Sequence, residues 1–478
     1  MQYDDIKQTR LKYNISQTKL AENSNFSKAT ISSWELYKSA PSTDDLKTLS
    51  LTLKNIISDI CGGKDIRKKR IIHSNRIGSK LPNIIRTPQE YNNLLAKRFL
   101  EHENSYRKQL TELYLRANTQ KSDDAPKAVA LFSGCGGLSL GFAAEGFNLV
   151  GHIEIDEAAN KIYAYNFPDS DLLGTDICKL TDNQISDWKK QYGNIDILIG
   201  GPPCQGFSLA GKRDPNDIRN QLYTYYVHLV SLVKPKAFVM ENVRLLTSMK
   251  DKNGELFIDH ILDDFRKSGY KITIREVNAF NYGVPQSRER VILVGIRNDI
   301  GRLFVFPAGD FIDNVQGSLF FEAKRPLTFR DATFDLKSLE SGEKSTDPLH
   351  WSIVHPEHVI KWLKNVPEGC SAHDNENPDL RPPSGFNTTY KRIRWDEPCS
   401  TISTNFSMIS GCRNVHPSST RSLTIREAAR AQSFPDEFIF TGNWGDVRRV
   451  IGNAVPPLLA EKIAKAVYEQ LFKNFKYA

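Results

Sequence analysis

The sequence predicts an α/β protein with a parallel sheet covered on both faces, preceded by a small all-helical unit. Three observations carry this. From Lys127 onward, short apolar runs alternate with amphipathic stretches, which is the rhythm of strands joined by covering helices. In residues 1–60, Leu20, Ala21, Ile31, Trp34, Leu46, Leu49 and Leu53 recur at helical spacing instead. Residues 301–420 are rich in polar residues, Pro and Asn, lack the strand–helix rhythm, and read as a loop-rich second lobe.

Taken in order, residues 1–60 form the helical unit, with Pro41-Ser42-Thr43-Asp44 as a break and helix start. Residues 61–126 are a basic linker and helix: 61–86 are weakly periodic, 87–118 are rich in Leu, Glu, Lys and Arg, and Thr119 to Pro126 marks a boundary. Within 127–300 the strand candidates are Ala128–Phe132, Leu149–Ile155, Ile195–Ile199, Ala237–Met240 and Val291–Ile296. Helical patterns return at Thr424–Gln432 and Leu458–Phe472, so 421–478 read as the chain's return to the first lobe.

Composition narrows the function classes. The chain has 478 residues and a formal charge of +8. Residues 1–126 hold 22 Lys and Arg against 14 Asp and Glu, so they carry the whole net charge, densest between Lys64 and Lys80. A basic block outside a neutral body fits nucleic-acid contact, or a solvated linker. Seven cysteines without a C-x-x-C pair argue against a disulfide framework or a structural metal, and fit a reducing cytoplasm. No apolar run is long enough for a membrane span, and the N-terminus does not read as a signal peptide.

The chemistry concentrates at strand ends. Gly200-Gly201-Pro202-Pro203-Cys204-Gln205-Gly206-Phe207-Ser208 follows a buried strand. The glycines allow close approach to the backbone and the prolines stiffen the loop, so Cys204 is presented as a nucleophile. By itself it also fits a small buried hydrophobe in a turn. The first strand ends in Phe132-Ser133-Gly134-Cys135-Gly136-Gly137-Leu138, a Gly-rich cradle between strand and helix. Glu154 ends the second strand, where an acid accepts ribose hydroxyls or is an ordinary surface residue; Asp176 is a candidate for an adenine amine. Glu241-Asn242-Val243 puts a carboxyl at a strand's end on an apolar wall, where it can donate a proton. In Gln286-Ser287-Arg288-Glu289-Arg290 alternate residues point one way, so Gln286, Arg288 and Arg290 could reach one site.

This set resembles the C5 cytosine DNA methyltransferase family over residues 127 to about 472. The same order continues through Arg426-Glu427-Ala428-Ala429-Arg430, Phe434-Pro435 and Ile451-Gly452-Asn453-Ala454-Val455-Pro456. The resemblance implies a Rossmann-like methyltransferase sheet, with 301–420 as a target-recognition lobe. It implies S-adenosyl-L-methionine as cofactor, with Phe132 against the adenine, Glu154 on the ribose and Asp176 on the adenine amine. Ser133, Gly134, Gly136, Gly137 and Leu138 would line its cradle, with Ile155, Ile177, Pro202, Asn453 and Val455 completing the site. Cys204 would add to C6 of a flipped-out cytosine, Glu241 would engage N3, and Arg290 with Arg288 beside it would hold the O2 side. Gln205 and Ser208 would touch DNA.

Residues 1–60 resemble Cro/repressor-type helix-turn-helix domains through Gln17-x-x-Leu20-Ala21 and Ser27-x-x-x-Ile31-x-x-Trp34-Glu35. Asn25 and Tyr37 stand where such domains often have Gly. Lys28, Ala29, Ser32 and Ser33 would face a major groove. The combined expectation is a cytoplasmic, nucleoid-associated, restriction–modification DNA methyltransferase that also regulates transcription. Double-stranded DNA would be its partner, through both the methylation target and an operator. A homodimer through the N-terminal unit and no membrane contact are also expected. An RNA cytosine methyltransferase and a catalytically inactive DNA-binding regulator are the alternatives.

Overall fold

The computed structural model describes residues 6, 10, 15–24, 26–35, 41–62, 88–98, 100, 102–203, 222–251, 254–309 and 325–473. They fall into two compact units, one within residues 1–76 and one within 77–478.

The first unit holds helices α1 (Gln17–Glu22), α2 (Lys28–Glu35) and α3 (Thr43–Gly62). Ser16 starts α1 by accepting from the Lys19 amide at 2.9 Å, and the Ser27 hydroxyl accepts from Thr30 N at 3.0 Å at the start of α2. Leu20, Ile31, Trp34, Leu49 and Leu53 make its core with Ile6, Ile15 and Ile56. The helical spacing therefore yields helices, and its apolar positions form the core, with Ala21 and Leu46 partly buried against it.

The second unit opens with α4 (Pro88–Ala96) and α5 (Ser105–Ala117). There follow β1 (Lys127–Leu131), α6 (Gly137–Ala144), β2 (Asn148–Ile153), α7 (Glu157–Asn166), β3 (Asp171–Gly174), α8 (Asp182–Tyr192) and β4 (Ile197–Gly200). Next come α9 (Leu222–Val233), β5 (Ala237–Val243), α10 (Phe257–Lys267), β6 (Tyr270–Asn278), β7 (Gln286–Ser287) and β8 (Glu289–Arg297). The chain closes through α11 (Phe329–Thr333), α12 (Glu357–Leu363), β9 (Cys399–Ser400), α13 (Ile425–Ala431), α14 (Trp444–Asn453) and α15 (Pro457–Leu471).

Seven strands form one sheet in the order β3-β2-β1-β4-β5-β8-β6. The first five are parallel, whereas β8 runs antiparallel to both β5 and β6. The expected parallel sheet thus carries one reversed strand. Strand alternation divides the core. Ala128, Ala130, Ile197 and Ile199 face one cluster, while Val129, Leu131 and Leu198 face the other. Residues of α5, α6 and α15 cover the first face; Trp188, Tyr226, Val230 and Phe265 cover the second. Among the described residues no helix is long and apolar enough to cross a membrane.

Two boundaries differ from the sequence reading. Residues 88–117 are helical as expected but belong to the sheet unit rather than to a connecting segment, because Tyr91, Tyr106, Leu110 and Leu113 are buried in its main core. Within 301–420, Phe304, Phe329, Leu349, Trp351 and Ile402 also join the main core. The part with an apolar cluster of its own is narrower, built from Val359, Leu363, Val366, Ala372, Tyr390, Ile409 and Val415.

Candidate active site

The strand order reverses at β1, between β2 and β4. Open α/β sheets bind ligands at such a point, outside the carboxyl ends of the strands. Beyond β1 the loop turns on Phe132 (φ 51°), Gly134 (φ 55°) and Gly136 (φ 99°), and Gly136 caps α6. A side chain at Gly137 would collide with the Val455 carbonyl, so this glycine lets the cradle meet the Ile451–Pro456 segment. Leu138 is buried behind it, and Asn453 is exposed at the end of α14.

The Glu154 carboxylate is fixed from two sides. Its Oε2 accepts from Gly134 N and its Oε1 from Asp156 N, each at 2.8 Å. Burial raises its pKa, against those backbone bonds and the charge of Arg449. Ile155 is 72% exposed beside it, whereas Ile177 is 5% exposed. Asp176 Oδ1 accepts from Cys178 N at 3.0 Å.

These residues fit an adenosyl group. The Ser133 hydroxyl is buried without a hydrogen-bond partner among the described residues. A Cβ placed on Gly134 would meet nothing within 4 Å. A buried hydroxyl wanting a partner, open space over a glycine turn, an anchored carboxylate and an exposed Ile155 together suit a polar ligand with one flat apolar ring.

The second wall is built by β5 and β8. Their register pairs Glu241 with Ile292 and Val243 with Arg290, so Glu241 and Arg290 share a face one diagonal apart. Arg290 Nε lies 2.8 Å from Glu241 Oε1. Burial lowers the pKa of Arg290, and Glu241 opposes that shift. Glu241 therefore faces a guanidinium rather than the apolar wall the sequence suggested. A Cβ on Gly201 would stand 2.9 Å from Glu241 Oε2, so this glycine lets the loop after β4 pass close to the carboxylate. Asn242 Nδ2 donates to the Pro202 carbonyl at 3.0 Å, which ties that loop to β5. Asn242 had a signal in the sequence only as the neighbour of Glu241.

The alternation of residues 286–290 is observed, but the three side chains do not converge. Gln286 is buried and bonds Gln432 Oε1 at 2.8 Å and the Ile402 amide at 2.8 Å. Arg288 is 1% exposed and donates to the carbonyls of Ile402 at 3.1 Å and Gly452 at 3.0 Å. Its pKa is held well below the usual range by burial and by the neighbouring Arg290. Of the three, Arg290 alone is paired with Glu241. Gln286 and Arg288 reach across the unit because the packed segments 399–404 and 431–452 offer them backbone carbonyls and amides.

Cys204, Gln205 and Ser208 lie outside the described residues, as do Asn25, Tyr37 and the basic stretch 64–80. Three buried thiols are unsuited to nucleophilic work. Burial pushes Cys135 up to about 12 and Cys412 up to about 11, and it raises Cys399 as well. In the helical unit Lys28 and Ala29 are exposed on α2, Ser32 and Ser33 are half-buried, and Ile31 and Trp34 face inward.

Residues 127–469 match the family model described as C-5 cytosine-specific DNA methylase. The chain belongs to that family. Residues 6–55 separately match a helix-turn-helix model. Among relatives of the methylase is the Type II methyltransferase M1.HphI of Haemophilus parahaemolyticus. It is 36% identical over 343 residues, covering 71% of this chain and 86% of its own length. The Type II methyltransferase M.Sau96I of Staphylococcus aureus is 34% identical, covering 77% and 81%. A crystal structure described as a DNA modification methyltransferase encoded within an E. coli prophage aligns with TM-score 0.56 and 26% identity, over 72% of this chain and 99% of that one. As a member of the family, the chain is an S-adenosylmethionine-dependent DNA cytosine-5 methyltransferase carrying an N-terminal helix-turn-helix domain.

Proposed function

We propose that the chain methylates C5 of a flipped-out cytosine in a specific duplex site within a restriction–modification system, and that Cys204, Glu241 and Arg290 carry the reaction. The observation that supports this best is the Glu241–Arg290 pair against Gly201 and Pro202, on the loop that leads into Cys204. When bound, S-adenosylmethionine supplies an electrophilic methyl group for C5. Carbon 5 of cytosine is a poor nucleophile until a thiolate adds at C6, so Cys204 forms a covalent bond there and is expelled when C5 loses its proton. Glu241 engages N3 and makes C6 more electrophilic. Arg290 holds Glu241 and binds the O2 side of the developing charge. We read Arg288 as a positioning residue. Its guanidinium clamps the Ile402 and Gly452 carbonyls and carries the charge that flanks Arg290.

Phe132, Ser133, Gly134, Glu154, Ile155 and Asp176 would hold the adenosyl part of the cofactor. Gly136, Gly137, Leu138, Ile177, Pro202, Asn453 and Val455 would shape its pocket. The helix-turn-helix unit supports operator binding through Lys28, Ala29, Ser32 and Ser33, with two copies on a two-fold site about one helical turn apart.

The test is transfer of tritiated methyl from S-adenosylmethionine to DNA and RNA in parallel. Label in DNA alone, absent with Cys204→Ala, is expected. Label in RNA alone would replace the DNA reading, and no label in either would leave a DNA-binding regulator. For the operator, footprinting with the full chain and with Lys28→Ala/Ser33→Ala is expected to show protection that the double variant loses.

A further inference from the structure

Residues 88–117 fall between the two matched regions, 6–55 and 127–469. Tyr91, Arg98, Asn104 and Tyr106 among them end on a buried ion network. Arg98 Nη1 pairs with Asp436 Oδ2 and lies 3.8 Å from Asp347 Oδ2. The Tyr91 hydroxyl donates to the Asp436 carbonyl at 2.7 Å and accepts from Arg426 Nη2 at 2.9 Å. Asn104 Nδ2 donates to Asp335 Oδ1 at 2.8 Å, and the Tyr106 hydroxyl donates to the Arg430 carbonyl at 2.9 Å.

The remaining members join distant parts of the chain. Arg426 pairs with Asp347 at 2.9 Å, and Arg430 pairs with Asp335 at 2.5 Å and Asp436 at 2.7 Å. Asp335 and Asp347 precede the lobe cluster that starts at Val359; Arg426 and Arg430 lie on α13. Helix α13 is capped by Gln432, whose side chain bonds Gln286 at 2.8 Å and the Ile451 carbonyl at 2.7 Å. Gln286 begins the row that ends at Arg290. Buried bonds therefore run from residues 88–106 to the base of the second lobe and α13, and through Gln432 to Gln286, four residues before Arg290 in the chain.

We propose that residues 88–106 are a brace that sets the recognition lobe against the catalytic wall, with Arg98 as a positioning residue for target discrimination. This rests on the reading of 301–420 as the recognition lobe. A buried carboxylate deprived of a cation must find another or move. Without Arg98, Asp436 would draw more on Arg426 and Arg430, which also hold Asp347 and Asp335. The lobe base would then shift, while the bonds that fix the Glu154 carboxylate, to Gly134 N and Asp156 N, involve no member of the network.

The test uses the full chain with Arg98→Met, Arg98→Lys and Tyr106→Phe. Three quantities are measured: kcat/KM at the methylated site against a site changed by one base, cofactor Kd, and hydrogen exchange. Arg98→Met is expected to lower the discrimination ratio about tenfold, within the range for residues that touch no ligand. Cofactor Kd should stay within about twofold, less than half a kcal/mol. Exchange should rise in peptides spanning 335–350 and 425–437 but not in β1 to β5. Arg98→Lys should restore part of the ratio. Tyr106→Phe keeps the ring, deletes one bond, and carries the same test in a smaller form if Arg98→Met does not fold. A parallel fall at both sites, or unchanged exchange in 335–350, would overturn the brace. A parent chain without methyl transfer would instead refute the enzymatic reading, and exchange alone would then decide the brace.

Discussion

Arg290 Nε stands 2.8 Å from Glu241 Oε1, and the two side chains leave neighbouring antiparallel strands on the same face. Each is the other's charge partner in a largely buried place. Glu241→Gln keeps the shape but removes the charge and its proton chemistry. Its kcat is expected to fall by about 10²–10⁴, with some loss of stability, because Arg290 keeps a hydrogen-bond acceptor but loses its counter-charge. Arg290→Ala should in addition cost about 3–5 kcal/mol, because it strands the Glu241 carboxylate. Single-turnover methylation and denaturant unfolding of both variants check this; a Glu241→Gln enzyme at near-parent rate contradicts it.

Gly201 is a second, independent check on that corner. A methyl group there stands 2.9 Å from Glu241 Oε2 and 3.3 Å from the Glu241 carbonyl. Gly201→Ala should displace the loop or the carboxylate at a cost of about 1–3 kcal/mol, and kcat should fall further than stability alone explains. Equal activity at a temperature where both proteins are folded would show that Glu241 does not need this close approach.

Asn242→Ala removes the bond that ties Pro202 to β5 and leaves a buried carbonyl unpaired, worth about 1–3 kcal/mol. The loop it anchors leads to Cys204. The expected result is a lower kcat with DNA affinity within a fewfold of the parent, because phosphate contacts spread over the whole interface dominate DNA affinity. DNA affinity lost in step with kcat would assign the loop to binding instead.

Truncation should distinguish two starting points that the sequence alone would treat alike. A chain of residues 78–478 keeps α4 and α5 and should fold and methylate. A chain of 125–478 loses the buried Tyr91, Tyr106, Leu110 and Leu113. At about 1.5–3 kcal/mol each, four such side chains rival a domain's whole stability, so the shorter chain should aggregate. Circular dichroism and methyl transfer read the outcome, and an active 125–478 chain would contradict the assignment of α4 and α5 to the core.

Acid should destabilise the sheet unit in two stages. Burial lowers His152 and His355 to about 4 and His416 to about 3, and lowers His350 too. The unfolded chain takes up these protons near pH 6.5. The stabilisation is thus complete above about pH 6.5 and falls as pH drops toward the folded values. Asp347, Asp436 and Glu427 stay ionised through their arginine partners despite burial, and they add a further loss below about pH 4. Calorimetry should show a midpoint that is flat above pH 7 and falls steadily from pH 6.5 to 4. A flat midpoint down to pH 5 would contradict neutral buried histidines.

Much of the site was legible because its residues mark strand ends. Gly-rich turns and carboxylates after apolar runs mark strand ends in an α/β sheet, and Gly136, Glu154 and Glu241 lie at the ends of β1, β2 and β5, although Glu241 faces Arg290 rather than an apolar wall. The edge strand β6 was not legible, since Tyr270–Asn278 alternates irregularly and buries only two of its nine residues. Arg288 misled because strand alternation gives a side chain's direction but not the carbonyls waiting beyond it. Residues 88–117 read as a separate helix because partners such as Asp436 and Arg430 lie more than 300 residues away.

The central claim is covalent catalysis at Cys204 on DNA. It is tested most directly by incubating the full chain and S-adenosylmethionine with duplex DNA in which 5-fluorocytosine replaces cytosine at random. Fluorine at C5 cannot leave as a proton does, so the thiol–C6 bond should persist as a denaturant-resistant protein–DNA band. That band should depend on the cofactor and be absent with Cys204→Ala. No band from an otherwise methylating parent chain, or an equal band from Cys204→Ala, would contradict the claim.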